Sequence, residues 1–437
     1  MRRIWGFLLV CLLAWAFALQ TGRPLAYNLA YLITAVIVLS YLWAKANAGW
    51  LQVSRYTRGR RSQVGKLAEE QFEVINRSPL PKLWLEVRDH STLPGHDSSR
   101  VLNSLGGRRR RRWMVRTYCQ QRGRFRLGPL TISSGDPLGL FHLQRRLPAT
   151  STFIVYPATV DIPAFALPAG YLPGGEAMRR RTHYITTNVA GVRDYAPGDS
   201  FSRIHWRSTA RTGRLIVKEF ELDPTADVWL FLDMDRSVHV AAPWVPEMEW
   251  RGPAVLWKER DKLELIPSTE EYGVTVAASL AKHFLTRGQS VGLIAHSQRR
   301  ELIQADRGER QLDKILETLA VMEARGRIPI AQVMAAEGRS LSRNTILIVI
   351  TPSTELEWVA SLRHLLRRGL RGVAVLLAAN SFGAAPSWKR TQEELIASGI
   401  PTYVVRRGDS LAAALSQQAG APEKYGHPST GLVSASP

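Results

Sequence analysis

Three arginines at four-residue spacing, Arg203, Arg207 and Arg211, form the most ordered charged set in the chain. On a helix that spacing stacks them on one face, where guanidinium groups can pair with carboxylates or phosphates. A second basic cluster, Arg108, Arg109, Arg110, Arg111 and Arg112, has no acid among its immediate neighbours. It is either solvated or bound to phosphate on anionic lipid headgroups or nucleic acid. Signals for catalysis are weak. There is no His-Glu-x-x-His and no pair of cysteines for zinc, and His183, His205 and His239 have no metal-ligand spacing. Gly59 to Lys66 superficially suggests a phosphate loop, but five residues separate Gly59 from Gly65, and Leu67 stands where Ser or Thr is needed. No catalytic residue is assigned, and a non-enzymatic protein is expected.

These groups must be positioned by more than one domain, because 437 residues exceed a single hydrophobic core. Two uncharged apolar runs, 4–19 and 25–44, open the chain, each near the length that crosses about 30 Å of hydrocarbon. Arg2 and Arg3 precede the first. Lys45, Arg55, Arg58, Arg60 and Arg61 follow the second, and the intervening turn holds Arg23 alone. The positive-inside rule predicts a multi-pass hairpin in the cell membrane with both ends, and so the body, cytoplasmic. Ala16-Phe17-Ala18 offers a competing reading as a signal-peptide cleavage site. The second run would then act as a stop-transfer helix, and the body would still be cytoplasmic.

The net charge of +21 is uneven. Residues 45–226 carry 30 Lys plus Arg against 14 Asp plus Glu, whereas residues 227–437 carry 25 against 23. The surplus beside the membrane suits anionic lipid, worth about 1 kcal/mol per well-placed basic residue. The same field would attract nucleic acid, but no nucleic-acid module is recognised in the region. Two cysteines, Cys11 and Cys119, give no disulfide framework.

From Trp50 to about Pro157, short period-two runs such as Leu51 to Tyr56, Gln71 to Ile75, Trp113 to Tyr118 and Phe153 to Tyr156 predict a β-sandwich. His90 to Arg112, with Pro, Gly, Ser and the arginine run, reads as a long mobile loop. After Ala226, apolar strands alternate with helical patterns, which predicts a doubly wound α/β domain covered on both faces. Between the halves, Pro197-Gly198 makes a turn, Asp199 or Ser200 can cap a helix, and Gly213 can end it. A helix over 201–212 is therefore predicted, with Ile204 packed inward and Trp206 meeting another element.

Here the chain resembles a bacterial family, the domain of unknown function 58. The resemblance rests on Arg193-Asp194-Tyr195-Ala196-Pro197-Gly198-Asp199, on Ile204-His205-Trp206, on Ala210-Arg211-Thr212-Gly213 and on Lys218-Glu219-Phe220-Glu221. Arg122-Gly123, Leu127-Gly128-Pro129-Leu130 and Asp136-Pro137-Leu138-Gly139-Leu140-Phe141 add to it upstream. It implies a membrane-tethered body, a von Willebrand factor A-like α/β domain and association with a MoxR-type AAA+ ATPase. It implies no activity. The signature is either a self-satisfied structural linker or a docking surface with Arg203, Arg207 and Arg211 exposed.

A von Willebrand factor A-like domain often holds a divalent cation at the carboxyl edge of its sheet, where hard oxygen ligands suit Mg²⁺. The matching positions are Asp233, Asp235 and Ser237, with Thr351 or Ser353 after the later strand. Asp235 replaces a Ser of the usual pattern, and the Thr351-Pro352-Ser353 that comes straight after Ile350 holds no Asp. Arg236 beside the acids further weakens a cation site. The insertion 239–268, with Trp244, Trp250 and Trp257, reads as a lid, a partner-binding loop or a small hairpin.

The expected organisation is a transmembrane hairpin (1–46), a β-sandwich-like domain (47–168), a signature linker (169–226), a von Willebrand factor A-like domain (227–418) and a disordered tail (419–437). The function expected is a membrane-anchored scaffold or adaptor for a protein partner. A cation-dependent binding module is the first alternative, and lipid or nucleic-acid binding through the basic region is the second.

Overall fold

Long, mostly apolar runs form the first two elements, both helical, and a single turn joins them. Helix α1 spans Arg2–Thr21 and α2 spans Pro24–Ala48, with Pro24 at the first helical position, where its missing N–H costs nothing. By length and composition α2 can cross a membrane; the apolar part of α1, Trp5–Thr21, is a shorter apolar helix. The two pack through Ala18, Ala26 and Ala30, and Trp15 Nε1 donates to Thr34 Oγ1 at 3.0 Å. The computed structural model describes residues 2–165, 189–195, 204–220, 226–245, 264–343 and 345–418, with backbone alone at 2–4, 189–193 and 218–220. Pro197, Gly198, Asp199, Arg203, most of the insertion 239–268 and the tail 419–437 lie outside the described residues.

The chain divides into two compact units. The first comprises Met1–Val160, Val240–Ser279 and Asp313–Glu323. Ten strands follow α2 in it: β1 (Leu51–Thr57), β2 (Arg61–Gln63), β3 (Leu67–Asn76), β4 (Leu85–Asp89), β5 (Arg100–Leu102), β6 (Arg110–Tyr118), β7 (Gly123–Leu127), β8 (Leu130–Gly135), β9 (His142–Leu147) and β10 (Ser151–Tyr156). They form three sheets in the orders β1-β3-β6, β2-β10-β7 and β5-β4-β8-β9. The first and third share one core of Leu51, Phe72, Val74, Leu85, Val87, Leu102, Trp113 and Ile132. Their alternate residues point inward at period two, and this is the expected sandwich.

The arginine run is corrected by this unit. Arg110, Arg111 and Arg112 are not in a mobile loop but begin β6, which pairs with β3. Glu73 on β3 lies opposite Arg112 and accepts its Nε–H at 2.7 Å, with Arg110 at 3.9 Å, so an acid distant in sequence neutralises part of the run. Arg108 and Arg109 precede the strand, Arg108 at a positive φ of 54°.

The second unit comprises Asp161–His239, Leu280–Leu312 and Ala324–Pro437, so the helices over 269–285 and 309–321 have residues in both units. Continuing along the chain come β11 (Val189–Asp194), α3 (Trp206–Thr212), β12 (Ile216–Phe220), β13 (Val228–Leu232), α4 (Thr269–Leu285), β14 (Val291–His296), β15 (Arg300–Asp306), α5 (Glu309–Val321), α6 (Ile330–Glu337), β16 (Ile346–Thr351), α7 (Glu357–Arg367), β17 (Arg371–Leu377), α8 (Lys389–Ala397), β18 (Thr402–Val405) and α9 (Leu411–Ala414). A six-stranded sheet has the order β15-β14-β13-β16-β17-β18. Strands β13, β14, β16, β17 and β18 are parallel, and β15 runs antiparallel to β14. One face is covered by α6, α7 and α8, whose Met334, Trp358, Leu362 and Leu395 pack on Phe231, Leu347, Val349 and Leu376.

Strand β15 escapes an apolar-strand reading because Ile303 is its one buried residue. A tight reversal at Ser297–Arg299, with the Ser297 N–H donating to the Arg299 carbonyl at 3.0 Å, returns it beside β14.

Candidate functional site

Two groups of predicted residues are assembled in the second unit, one at the carboxyl edge of β13 and β16 and one around α3. The first rests on the side-by-side pairing of the two strands, with Phe231 opposite Val349 and Leu232 opposite Ile350. That register brings Asp233 level with Thr351. Thr351 Oγ1 donates to Asp233 Oδ2 at 2.6 Å, and the Asp235 N–H donates to Asp233 Oδ1 at 3.0 Å. Asp235 Oδ1 accepts the Ser237 N–H at 3.1 Å, and Thr351 Oγ1 accepts the Ser353 N–H at 2.9 Å. Asp233, Asp235, Thr351 and Ser353 are buried, whereas Ser237 and Arg236 are exposed. Burial pushes the Asp233 carboxyl up to about 6, against the hydrogen bonds from Thr351 and Asp235; Asp235 and Glu355 add like charge.

The turn after β13 is held at a close approach. Gly326 N–H donates to the Met234 carbonyl at 2.9 Å, and the Arg236 N–H donates to the Gly326 carbonyl at 3.0 Å. A Cβ at Gly326 would lie 2.2 Å from the His296 carbonyl oxygen and 2.7 Å from that of Met234. Glycine is therefore required by space alone.

Asp233, Asp235, Thr351 and Ser353 are joined by these hydrogen bonds, Ser237 is reached through its N–H alone, and the fit of the group to a cation is partial. Both Asp233 oxygens and the Thr351 hydroxyl are engaged by the protein itself. No group of three His, Cys, Asp or Glu is gathered among the described residues. For Mg²⁺, Asp233 and Asp235 would supply charge, and Ser237, Thr351 and Ser353 neutral oxygen.

The second group differs from its prediction. Helix α3 begins at Trp206 rather than at residue 201, because Ile204 pairs with Val217 as an isolated bridge and His205 caps the helix. His205 Nδ1, rather than the side chain of Asp199 or Ser200, accepts the Ser208 N–H at 3.2 Å and caps the helix. Gly213 ends the helix in the left-handed region at φ 70°, as expected. Ile204 is buried, as predicted, and the Ile216 N–H donates to Thr209 Oγ1 at 3.1 Å, so α3 is tied to β12. The Tyr195 N–H donates to the Leu215 carbonyl at 2.9 Å, and Asp194 lies 3.8 Å from Arg214 in an exposed pair. The backbones of Arg193 and Lys218 stand opposite one another's neighbours in the β11–β12 ribbon.

No residue of α3 is buried. Trp206, predicted to meet another element, is 66% exposed, and Arg207 and Arg211 share the surface with it. The basic stripe on the helix thus consists of Arg207 and Arg211.

Sequence reading missed a network in the first unit. Thr117 Oγ1 and His96 Nδ1 are 2.7 Å apart, and His96 Nε2 is 3.0 Å from Asp89 Oδ2. Arg55 Nη2 donates to Asp89 at 2.6 Å and to Glu70 at 2.8 Å. A hydroxyl, an imidazole and a carboxylate in line have the form of a nucleophile relay. The His96 and Asp89 side chains are only 1% and 3% exposed, so no substrate reaches them. Burial raises the Asp89 carboxyl, but hydrogen bonds from His96 and Ser98 and the Arg55 charge more than reverse this and hold it well below the usual range. This is a structural ion network. It was hidden because His96 and Asp89 fall in or beside the segment read as a loop.

Gly288-Gln289-Ser290-Val291-Gly292 has the Gly-x-Ser-x-Gly spacing of a nucleophile elbow. It sits at the turn from α4 into β14, the reverse of the strand-to-helix turn a nucleophile elbow needs, and Ser290 is buried with its hydroxyl donated to Asp227.

Residues 191–243, which contain the end of β11, α3, β12, β13 and Asp233, match the model of a family described as "Protein of unknown function DUF58". The protein YeaD of Bacillus subtilis (strain 168), described as uncharacterized, is 23% identical over 389 residues, 86% of this chain and 88% of that one. Among solved structures, the CARDB domain of the PF1109 protein from Pyrococcus furiosus is 20% identical, with a TM-score of 0.19 over 24% of this chain and 86% of that one. The pilus adhesin SpaC from Lactobacillus rhamnosus GG is 11% identical, with a TM-score of 0.29 over 44% of this chain and 28% of that one. At these TM-scores neither likeness carries an argument.

Proposed function

We propose that this chain, whose residues 191–243 match the DUF58 family model, is a non-enzymatic membrane-anchored scaffold presenting its C-terminal α/β unit to a protein partner. The hairpin of α1 and α2 spans the membrane twice with the body cytoplasmic, in keeping with the positive flanks. The partner class implied by the resemblance is a MoxR-type AAA+ ATPase. The order β15-β14-β13-β16-β17-β18, with its antiparallel edge strand, supports a von Willebrand factor A-like reading of the α/β unit.

The exposed Trp206 is the observation that carries the proposal. A tryptophan held on a fixed, capped helix beside Arg207 and Arg211, inside the family's own signature, is the kind of anchor that dominates protein interfaces. The experiment is capture of the tagged full chain from detergent-solubilised membranes, with and without nucleotide. Recovery of an AAA+ ATPase supports the scaffold, and its repeated absence rejects it.

A second reading follows from the convergence of Asp233, Asp235, Thr351 and Ser353: a divalent-cation-dependent binding module. Calorimetric titration with Mg²⁺, Ca²⁺ and Mn²⁺ tests it, and absence of heat for all three discards it.

A further inference from the structure

Residues 136–141 join β8 to β9 as a tight turn beside α1 and α2. Leu140 is buried, and with Phe141 it lines one cavity together with Phe7 and Leu8 of α1 and Ile37 of α2. The Phe141 ring meets the Tyr41 ring edge-on at 5.4 Å. Leu138, at the tip, is 61% exposed, flanked by exposed Pro137 and Gly139.

The level of this contact along α2 can be read from the helix. Tyr41 and Ile37 lie about 10 Å and about 16 Å before the helix end at Ala48, at 1.5 Å per residue. Between Tyr41 and that end stand Trp43 and Lys45, both exposed, with Trp50 just beyond. Aromatic and basic residues grouped in this way mark the boundary between headgroups and acyl chains.

The turn is also built for an apolar setting. An unpaired backbone N–H is costly where water is scarce. Pro137 has none. Leu138 N–H donates to Asp136 Oδ2 at 3.0 Å, Phe141 N–H to Asp136 Oδ1 at 2.6 Å, and Gly139 N–H to the Asp136 carbonyl at 3.1 Å. One aspartate, itself buried, thus takes up three backbone donors. Gly139 adopts the positive φ of 70° that closes the turn.

We propose that residues 136–141 form a third membrane contact, seating Leu138 in the headgroup–acyl boundary of the bilayer that α2 crosses. The inference rests on the membrane reading of α2. A leucine-tipped turn adds little affinity to two spanning helices. Its consequence is orientation, because it fixes the sandwich against the membrane by a second point.

The test uses the full chain carrying Cys11→Ser, with Cys119 left in place because it is fully buried. Spin labels are introduced singly at Leu138→Cys, at Leu32→Cys within α2 and at Arg124→Cys on exposed β7. The protein is reconstituted in phosphatidylcholine–phosphatidylglycerol vesicles, and collision with oxygen and with a water-soluble nickel chelate is measured. The expected oxygen-to-nickel ratio at 138 lies several-fold above that at 124 and below that at 32. A water-like ratio at 138 with a lipid-like ratio at 32 overturns the proposal alone, as does a label at 138 shielded from both reagents. Water-like ratios at both 138 and 32 overturn the membrane reading and the proposal with it.

Discussion

Thr351 Oγ1 donates a 2.6 Å hydrogen bond to Asp233 Oδ2 across two adjacent parallel strands, and both side chains are shut away from solvent. The buried carboxyl depends on that hydroxyl. Thr351→Ala bares one oxygen, with an expected loss of about 1–3 kcal/mol; Thr351→Ser restores most of it. Thermal unfolding in detergent compares the three proteins.

Asp233 also makes stability depend on pH. Its carboxyl is raised by burial to about 6 in the fold from 3.8. The folded chain therefore holds its proton more tightly, so this contribution is full below about pH 4 and is lost as pH rises through about 6. Asp233→Asn removes that dependence and melts higher than the parent at pH 7 while matching it more closely at pH 4. Equal melting offsets at the two pH values would contradict the assignment.

Arg122, part of the family-like Arg122-Gly123, is 3% exposed in the first unit. It donates to Glu270 at 2.7 Å, to the Leu319 carbonyl at 3.1 Å and to the Met322 carbonyl at 2.7 Å, and it pairs with Glu271. Arg122→Met leaves those acceptors without their cation, at a cost of about 3–5 kcal/mol. Arg122→Lys recovers only part, since one ammonium cannot reproduce the fork. Unfolding midpoints in urea order the series.

Where α2 meets the sandwich, Asn47 Nδ2 donates to Ser134 Oγ at 2.6 Å, and Lys82 Nζ donates to the Ala46 carbonyl. Both side chains are buried, and burial lowers the Lys82 ammonium pKa. The helix is clamped rather than loosely tethered. Asn47→Ala is expected to weaken the clamp by about 1–3 kcal/mol, and limited proteolysis then cuts faster between Ala48 and Leu51 with the sandwich otherwise intact.

What the sequence disclosed depended on how local its physics was. The apolar runs of α1 and α2, the central strands β13 and β16 and the Gly213 helix end are set by adjacent residues, and they were readable. Strand β15 buries Ile303 alone, and β8 and β9 are polar or short, so pattern could not find them. The arginine run looked unneutralised because Glu73, its partner, lies more than thirty residues away and meets it only through β3–β6 pairing. His205 as a helix cap was equally hidden. Its role depends on Ile204 first pairing with Val217.

Docking of a partner on α3 is tested by capture with paired variants. The full chain and its Trp206→Ala, Arg207→Glu, Arg211→Glu variant are drawn from detergent-solubilised membranes with nucleotide present. Because α3 buries none of its residues, the variant should melt like the parent. An AAA+ ATPase is expected with the parent and not with the variant. Equal recovery with both would contradict the assigned surface, and recovery with neither would contradict the scaffold itself.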